Sequence, residues 1–221
     1  MDTEKLSSAC PFWDKLDWRE QKQLIEGSVE AVYEKGMNVH RSDMGCRGAI
    51  LLLTGVLRVY IISDQGREVT LFRIRGGENC VLSASCLMDS IEFDVLIEAV
   101  QAARAIVIPV NVLHPLMERN PHVGLFMYRQ VTERFSDVMW TMQQILFMGA
   151  DRRVAMFLWD EMINAKVSEL FITHDEIAKN IGSAREVVTK VLKYFGDEGI
   201  LAAGRGKVVI LDKEKLKKVF M

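Results

Sequence analysis

The 221-residue sequence has few of the residues that build metal centres or disulfide scaffolds. Its four cysteines, Cys10, Cys46, Cys80 and Cys86, are scattered, none forms a Cys-x-x-Cys pair, and no secretory pattern accompanies them. His40, His114, His122 and His174 lack metal-ligand spacing, and no His/Glu metal set or nucleophile–base constellation is present. Neither a metal, a resident cofactor nor an enzyme is therefore expected. There is no apolar run long enough to span a bilayer, and MDTEKLSSAC lacks the charged-then-apolar order of a signal peptide. No membrane association and a cytoplasmic location are the expectations. A strong charge excess is missing too: the net charge is −2. The imbalance is uneven, with 13 Lys+Arg against 11 Asp+Glu in 150–221 and 15 against 19 in the rest. Any nucleic-acid contact must then rest on a few placed cations.

What is present is a 49% hydrophobic composition, ample for packed cores, and one highly structured stretch, His174–Lys193. HDEIAKNIGSAREVVTKVLK reads as two short helices broken at Asn180-Ile181-Gly182, with Ile177, Ala178, Ile181, Val188 and Val191 spaced to pack them together. Thr173 and Glu176 make a T-x-x-E capping box, and Gly182 supplies the turn. The second helix opens with Ser183-Ala184-Arg185-Glu186, so its first turn carries a guanidinium and a carboxylate. A helix in the major groove presents its N-terminal residues to base edges, where Arg pairs with guanine and Glu accepts from cytosine. Lys190 lies further along, within reach of a base or a phosphate.

The stretch ITHDEIAKNIGSAREVVTKVLKYFGDEGIL resembles the winged-helix domain of the cyclic-AMP receptor and fumarate-nitrate regulator (Crp/Fnr) family of bacterial transcription factors. The resemblance puts Arg185, Glu186 and Lys190 on the family's base-reading positions, with Ser183 and Thr189 beside them. Leu201–Ala203 and Lys207–Ile210 flank Gly204-Arg205-Gly206, a hairpin signal that looks like the family's wing, with Arg205 and Lys207 placed for phosphate contact.

Upstream, Asp17 and Glu20 bracket a helix through about Glu26, with Trp18, Leu24 and Ile25 for its buried side. From Glu30 to Pro109, short β-rich runs separated by glycines predict an antiparallel barrel or jelly roll. Thr54–Glu78 resembles the family's effector-binding β-roll, with Asp64-Gln65-Gly66-Arg67 as a hairpin turn. Cyclic-nucleotide binders of the family carry a G-E-L triplet and an Arg-Ser or Arg-Ala pair. Here the stretches read Cys80–Cys86 and Phe93-Asp94, which cannot neutralise a phosphate. Cyclic AMP is not the expected effector. An effector pocket in this register involves Cys80, Leu82, Ser83, Cys86, Phe93, Val138 and Met139. Thiol or soft-metal sensing through Cys80 and Cys86, and a roll that senses nothing, remain as alternatives.

A helix over Asn111–Glu118 precedes a long one from Pro121 to about Met148. In it Val131, Phe135, Val138, Met142 and Ile145 recur at steps of four, three, four and three, a coiled-coil seam, although burial against the roll uses the same pattern. The resemblance favours the seam. Tyr128 and Trp140 are expected to fill the core. Gly149–Arg153 reads as a hinge, and Asp212–Met221 as a charged, solvated helical cap. The reading is an α+β chain: a β-roll sensing domain over 1–110, a dimerisation helix region over 111–149 and a winged helix-turn-helix over 150–221. It is expected to act as a homodimer on a palindromic double-stranded DNA site, with RNA polymerase open as a further partner.

Overall fold

The computed structural model describes residues 2–41, 48–80 and 95–221. The chain divides into two compact units, Met1–Ile61 with Leu71–Val138 and Ile62–Thr70 with Met139–Met221.

The first unit begins with α1 (Thr3–Ala9), a 3-10 turn (Trp13–Lys15) and α2 (Trp18–Gly27). The capping box at α2 forms in full: Asp17 accepts from the Arg19 and Glu20 amides, and Glu20 accepts from the Asp17 amide. Leu24 is buried as expected, but Trp18 points outward, 68% exposed, with Arg19 over its ring. Trp18 is the first residue of α2, at the end of the helix away from its buried Leu24. α1 gave no sequence signal beyond its Asp2 cap, because Leu6 is its single buried residue and one residue makes no period.

Eight strands follow among the described residues: β1 (Val29–Tyr33), β2 (Asn38–His40), β3 (Ala49–Thr54), β4 (Val56–Ile62), β5 (Glu68–Arg75), β6 (Asn79–Cys80), β7 (Leu96–Ala99) and β8 (Ala103–Ile108). They form two four-stranded sheets ordered β1-β8-β3-β6 and β2-β7-β4-β5. β8 pairs antiparallel with both β1 and β3, and β7 with both β2 and β4. Alternation along β3 explains its uninterrupted apolar run. Ala49 and Leu51 face a helical layer with Leu6, Leu24, Leu113 and Leu116, whereas Ile50 and Leu52 face the second sheet with Leu57, Val59 and Ile97. β8 does the same, Ile106 and Ile108 on one side and Ala105 and Val107 on the other. A strand buried on both faces loses its polar half, so its sequence reads as continuous hydrophobic residues.

After α3 (Val110–Arg119), the long α4 (Pro121–Phe147) starts at Pro121. Buried Asn120 joins this start to the N-terminal helices: its side chain accepts from the His122 amide and donates to Lys15 O and Glu20 Oε2.

The second unit holds α5 (Ala150–Ala165), β9 (Glu169–Leu170), α6 (His174–Ile181), α7 (Arg185–Asp197), β10 (Leu201–Gly204), β11 (Lys207–Ile210) and α8 (Lys213–Phe220). Its core gathers Val154, Leu158 and Met162 from α5, Ile177 and Ile181 from α6, and Val188, Leu192 and Phe195 from α7. The C-terminal helix is more than the solvated cap read from its charges. Leu216 is fully buried in this core and Phe220 tilts against Trp159 at 6.0 Å. Two apolar residues suffice to bury one side of a short helix, and four flanking lysines hid them.

Cys10 sits in the helical layer of the first unit, where burial pushes its thiol up to about 12. The thiolate is the nucleophile, so Cys10 is inert at neutral pH. Alkylation of the native protein at pH 8 followed by peptide mapping should leave Cys10 unmodified, and denaturation should expose it; modification in the native state would contradict this packing.

Candidate nucleic-acid interface

Each half of the helix-turn-helix is built by local rules. α6 starts with the reciprocal capping box: the Thr173 side chain accepts from the Glu176 amide at 3.1 Å, and the Glu176 carboxylate accepts from the Thr173 amide at 2.7 Å. It ends at Gly182, whose φ of +61 lies in the left-handed region. α7 begins at Arg185, two residues later than Ser183, with Ala184 at its N-cap and no side chain bonded there. Ala has no side-chain acceptor and the Val187 amide bonds Ala184 O, so it is the Arg185 and Glu186 amides that keep their donor capacity for an outside acceptor.

The inner side of α7, with Val188, Leu192 and Phe195, is buried against α5 and α6. That turns Glu186 and Lys190 outward, and Arg185 is exposed at the open start of the helix; Thr189 is exposed too, and Ser183 is half-buried in the turn. Among the described residues Arg185, Glu186 and Lys190 make no side-chain ion pair, so their charges remain available to a ligand. Thr189 is engaged locally, donating to Arg185 O at 2.9 Å and lying 2.9 Å from His174 Nδ1.

β10 and β11 pair antiparallel from Leu201↔Ile210 to Gly204↔Lys207, and β9 extends the sheet beside β11. Arg205-Gly206 turns the hairpin, with Gly206 at φ +71. The two expected wing cations differ in their surroundings. Arg205 opens onto a groove of about 500 Å³ lined also by Thr173, His174, Asp175, Arg185 and Gly204. Lys207 instead holds Glu169 at 2.6 Å and lies over the Phe171 ring. Cross-strand neighbours decide this: Lys207 follows the turn and meets the end of β9, a pairing invisible until the strand is placed.

The groove joins the start of α6, the start of α7 and the wing, with two guanidinium groups and one carboxylate on its walls. An N-terminal helix end and the Arg205 guanidinium suit a phosphodiester backbone, while Arg185 and the exposed side of α7 beyond it suit base edges. Thr173 and His174 were missed as lining residues. The capping box announced the helix start, but not that the wing would stand opposite it.

Residues 152–219 match the Crp-like helix-turn-helix domain. A solved Crp/Fnr-family chain from Eubacterium rectale is 40% identical, with a TM-score of 0.92 over 95% of this chain and 97% of that one. The protein belongs to the Crp/Fnr family of transcriptional regulators. Curated relatives include the transcriptional activator protein anr of Pseudomonas aeruginosa, 28% identical over 86% of this chain and 82% of the relative. Another is the transcriptional regulator SdrP of Thermus thermophilus, 26% identical over 77% of this chain and 83% of the relative.

Within the Crp/Fnr roll, the expected effector residues divide. Leu82, Ser83, Cys86 and Phe93 lie outside the described residues, and Cys80 is described by its backbone, paired with Ile50. Val138 packs against the core between the two sheets. Met139 faces outward, one residue further round α4. No helix among the described residues is long and apolar enough to cross a membrane.

Gly182→Ala should cost about 1–2 kcal/mol for the left-handed backbone alone, and its Cβ would also meet Ile145 and Val69 at 3.2 and 3.3 Å. The measurement is the thermal unfolding midpoint, which should fall; an unchanged midpoint would show that the turn relaxes at no cost.

Proposed function

We propose that this chain is a homodimeric, sequence-specific DNA-binding transcription regulator of the cytoplasm. In this reading 1–110 is the sensing roll, 111–149 the dimerisation region and 150–221 the DNA-binding domain. The observation that carries the proposal is the exposed first turn of α7, where Arg185 and Glu186 stand beside Lys190 with no ion-pair partner among the described residues and the Arg205 groove lies alongside. Arg185 and Glu186 read base edges, Lys190 reaches a base or phosphate, and Ser183, Arg205 and the open amides of α7 hold the backbone. Lys207 contributes to phosphate binding only after exchanging its Glu169 partner. Thr189 orients His174 and the helix start and reads no base.

The long helix supports the dimer, in a register shifted from the one its sequence suggested. Val131 and Val138 pack onto the roll, whereas Phe135 and Met142 are exposed and Ile145 lies at the edge of exposure. The outward stripe is Leu125, Tyr128, Thr132, Phe135, Met139, Met142 and Leu146, in alternating steps of three and four. Three heptads of outward residues, apolar except at Thr132, suit a second copy of the same helix. Trp140, 51% exposed, and Tyr128, 64% exposed, stand on or beside this stripe and do not fill the core of the chain. Two such chains place two α7 helices for successive major grooves, giving a palindromic site with half-sites about one turn apart. An effector in the roll shifts the population between dimer geometries, and the Phe93-Asp94 sequence directs the search away from cyclic AMP.

Arg185→Ala should cost about 1–3 kcal/mol of affinity and relax preference at one base pair, measured by anisotropy against duplexes selected from a random pool. Equal weakening on every duplex would reduce Arg185 to a phosphate contact and remove the central support of the proposal. Arg205→Ala should weaken all duplexes alike and make the salt slope shallower by about one. For the dimer, Phe135→Glu should give monomers by native mass spectrometry; an intact dimer would place the interface elsewhere.

A further inference from the structure

The last turn of any α-helix leaves four carbonyls without helical partners, and in α6 these are met largely from outside the helix-turn-helix. Ala178 O accepts from the Ser183 amide, the local bond of a left-handed C-cap. Lys179 O accepts from Thr70 Oγ1 at 3.1 Å, Ile181 O accepts from Arg153 Nη1 at 2.5 Å, and Gly182 O accepts from the Arg67 guanidinium. Arg67 and Thr70 come from the tip of the β4–β5 hairpin, which belongs to the same compact unit. The tip is itself fixed. Ser63 N bonds Arg67 O, the Gly66 amide bonds Ser63 O, and the Ser63 hydroxyl accepts from the Arg67 amide.

Two further contacts register it against α6. Glu68 Oε1 lies 3.1 Å from Lys179 Nζ, and Val69 borders Gly182 closely enough that a Cβ there would reach it. Arg153 is held low by burial and by the Arg67 charge beside it, as expected where two guanidinium groups converge on neighbouring carbonyls at the negative end of a helix. None of Arg67, Glu68 or Thr70 belongs to the apolar core of this unit, which closes without them. The hairpin therefore adds orientation to a motif that already has its own packing.

We propose that Arg67, with Thr70 and Glu68, is a positioning residue for DNA recognition: the hairpin tip caps the carbonyls of α6 and so fixes the turn from which α7 projects. Gly182 O is the anchored atom and Arg185 opens the recognition helix directly beyond the turn, so any slack in the turn displaces the base-reading side chains. This inference rests on the DNA-binding reading above.

The test uses the full-length protein and the selected duplexes, with a scrambled duplex for comparison. Arg67→Ala should lower affinity for the selected duplex by tenfold or more. Affinity for the scrambled duplex and the salt slope should stay put, because Arg67 touches a carbonyl and no phosphate. Arg67→Lys, which keeps a cationic donor, should restore most of the loss, and Thr70→Val should give a smaller loss of the same kind. Amide hydrogen exchange of residues 180–186, measured without DNA, should quicken in Arg67→Ala. Unchanged exchange with unchanged selectivity would overturn the proposal, as would equal losses on both duplexes with a shallower slope, or tighter specific binding once the clamp is removed. If the unaltered protein selects no duplex, the DNA-binding reading fails and the exchange arm alone decides whether the hairpin holds the turn.

Discussion

The burial of one side of α7 is the constraint from which the rest of the interface follows. Val188, Leu192 and Phe195 are held between α5 and α6, and a helix of 3.6 residues per turn that commits these positions inward must send Glu186 and Lys190 outward, while Arg185, three residues before Val188, is exposed as the first residue of the helix. The carboxylate and the guanidinium are at the start of the helix, the end that enters a groove first. Had α6 not stopped at Gly182, no turn would separate the two helices. The left-handed residue and the apolar contacts thus act together: one sets where α7 begins, the other which side it shows.

The same logic runs along α4 with a different result. Its inner positions, Val123, Met127, Val131 and Val138, are taken up by the roll and its helical layer. Apart from Thr132, the outer positions stay apolar to Leu146, which a solitary helix has no reason to maintain. A helix with two apolar sides and one polar one is suited to holding its own domain and a partner at once. Tyr128 and Trp140 are exposed on that outer side.

Electrostatics in this protein is local. With a net charge of −2, long-range attraction to DNA is weak, so placement has to compensate for number. The groove between α6, α7 and the wing gathers two arginines against one aspartate, while Lys207 and Lys179 are drawn to Glu169 and Glu68. Pairing some cations internally leaves a small set, Arg185, Arg205 and Lys190, whose placement matters more than its number.

The sequence by itself determined the local chemistry. The Thr173–Glu176 box, the Gly182 stop, the Asp17–Glu20 cap, the Asp64–Arg67 turn and the apolar register of the helix-turn-helix are all short-range, and each was legible because its signal lies within a few residues. The tertiary structure alone decided which neighbours meet. That Lys207 faces Glu169, that Val138 turns to the roll while Met139 turns away, that Leu216 completes a core, and that Arg67 reaches Gly182 across 115 positions of chain are long-range facts. A heptad count cannot tell two apolar sides of one helix apart, and a charge on a strand does not announce its cross-strand partner. Such choices depend on how elements distant in the chain pack, and packing is resolved only when all of them are in place.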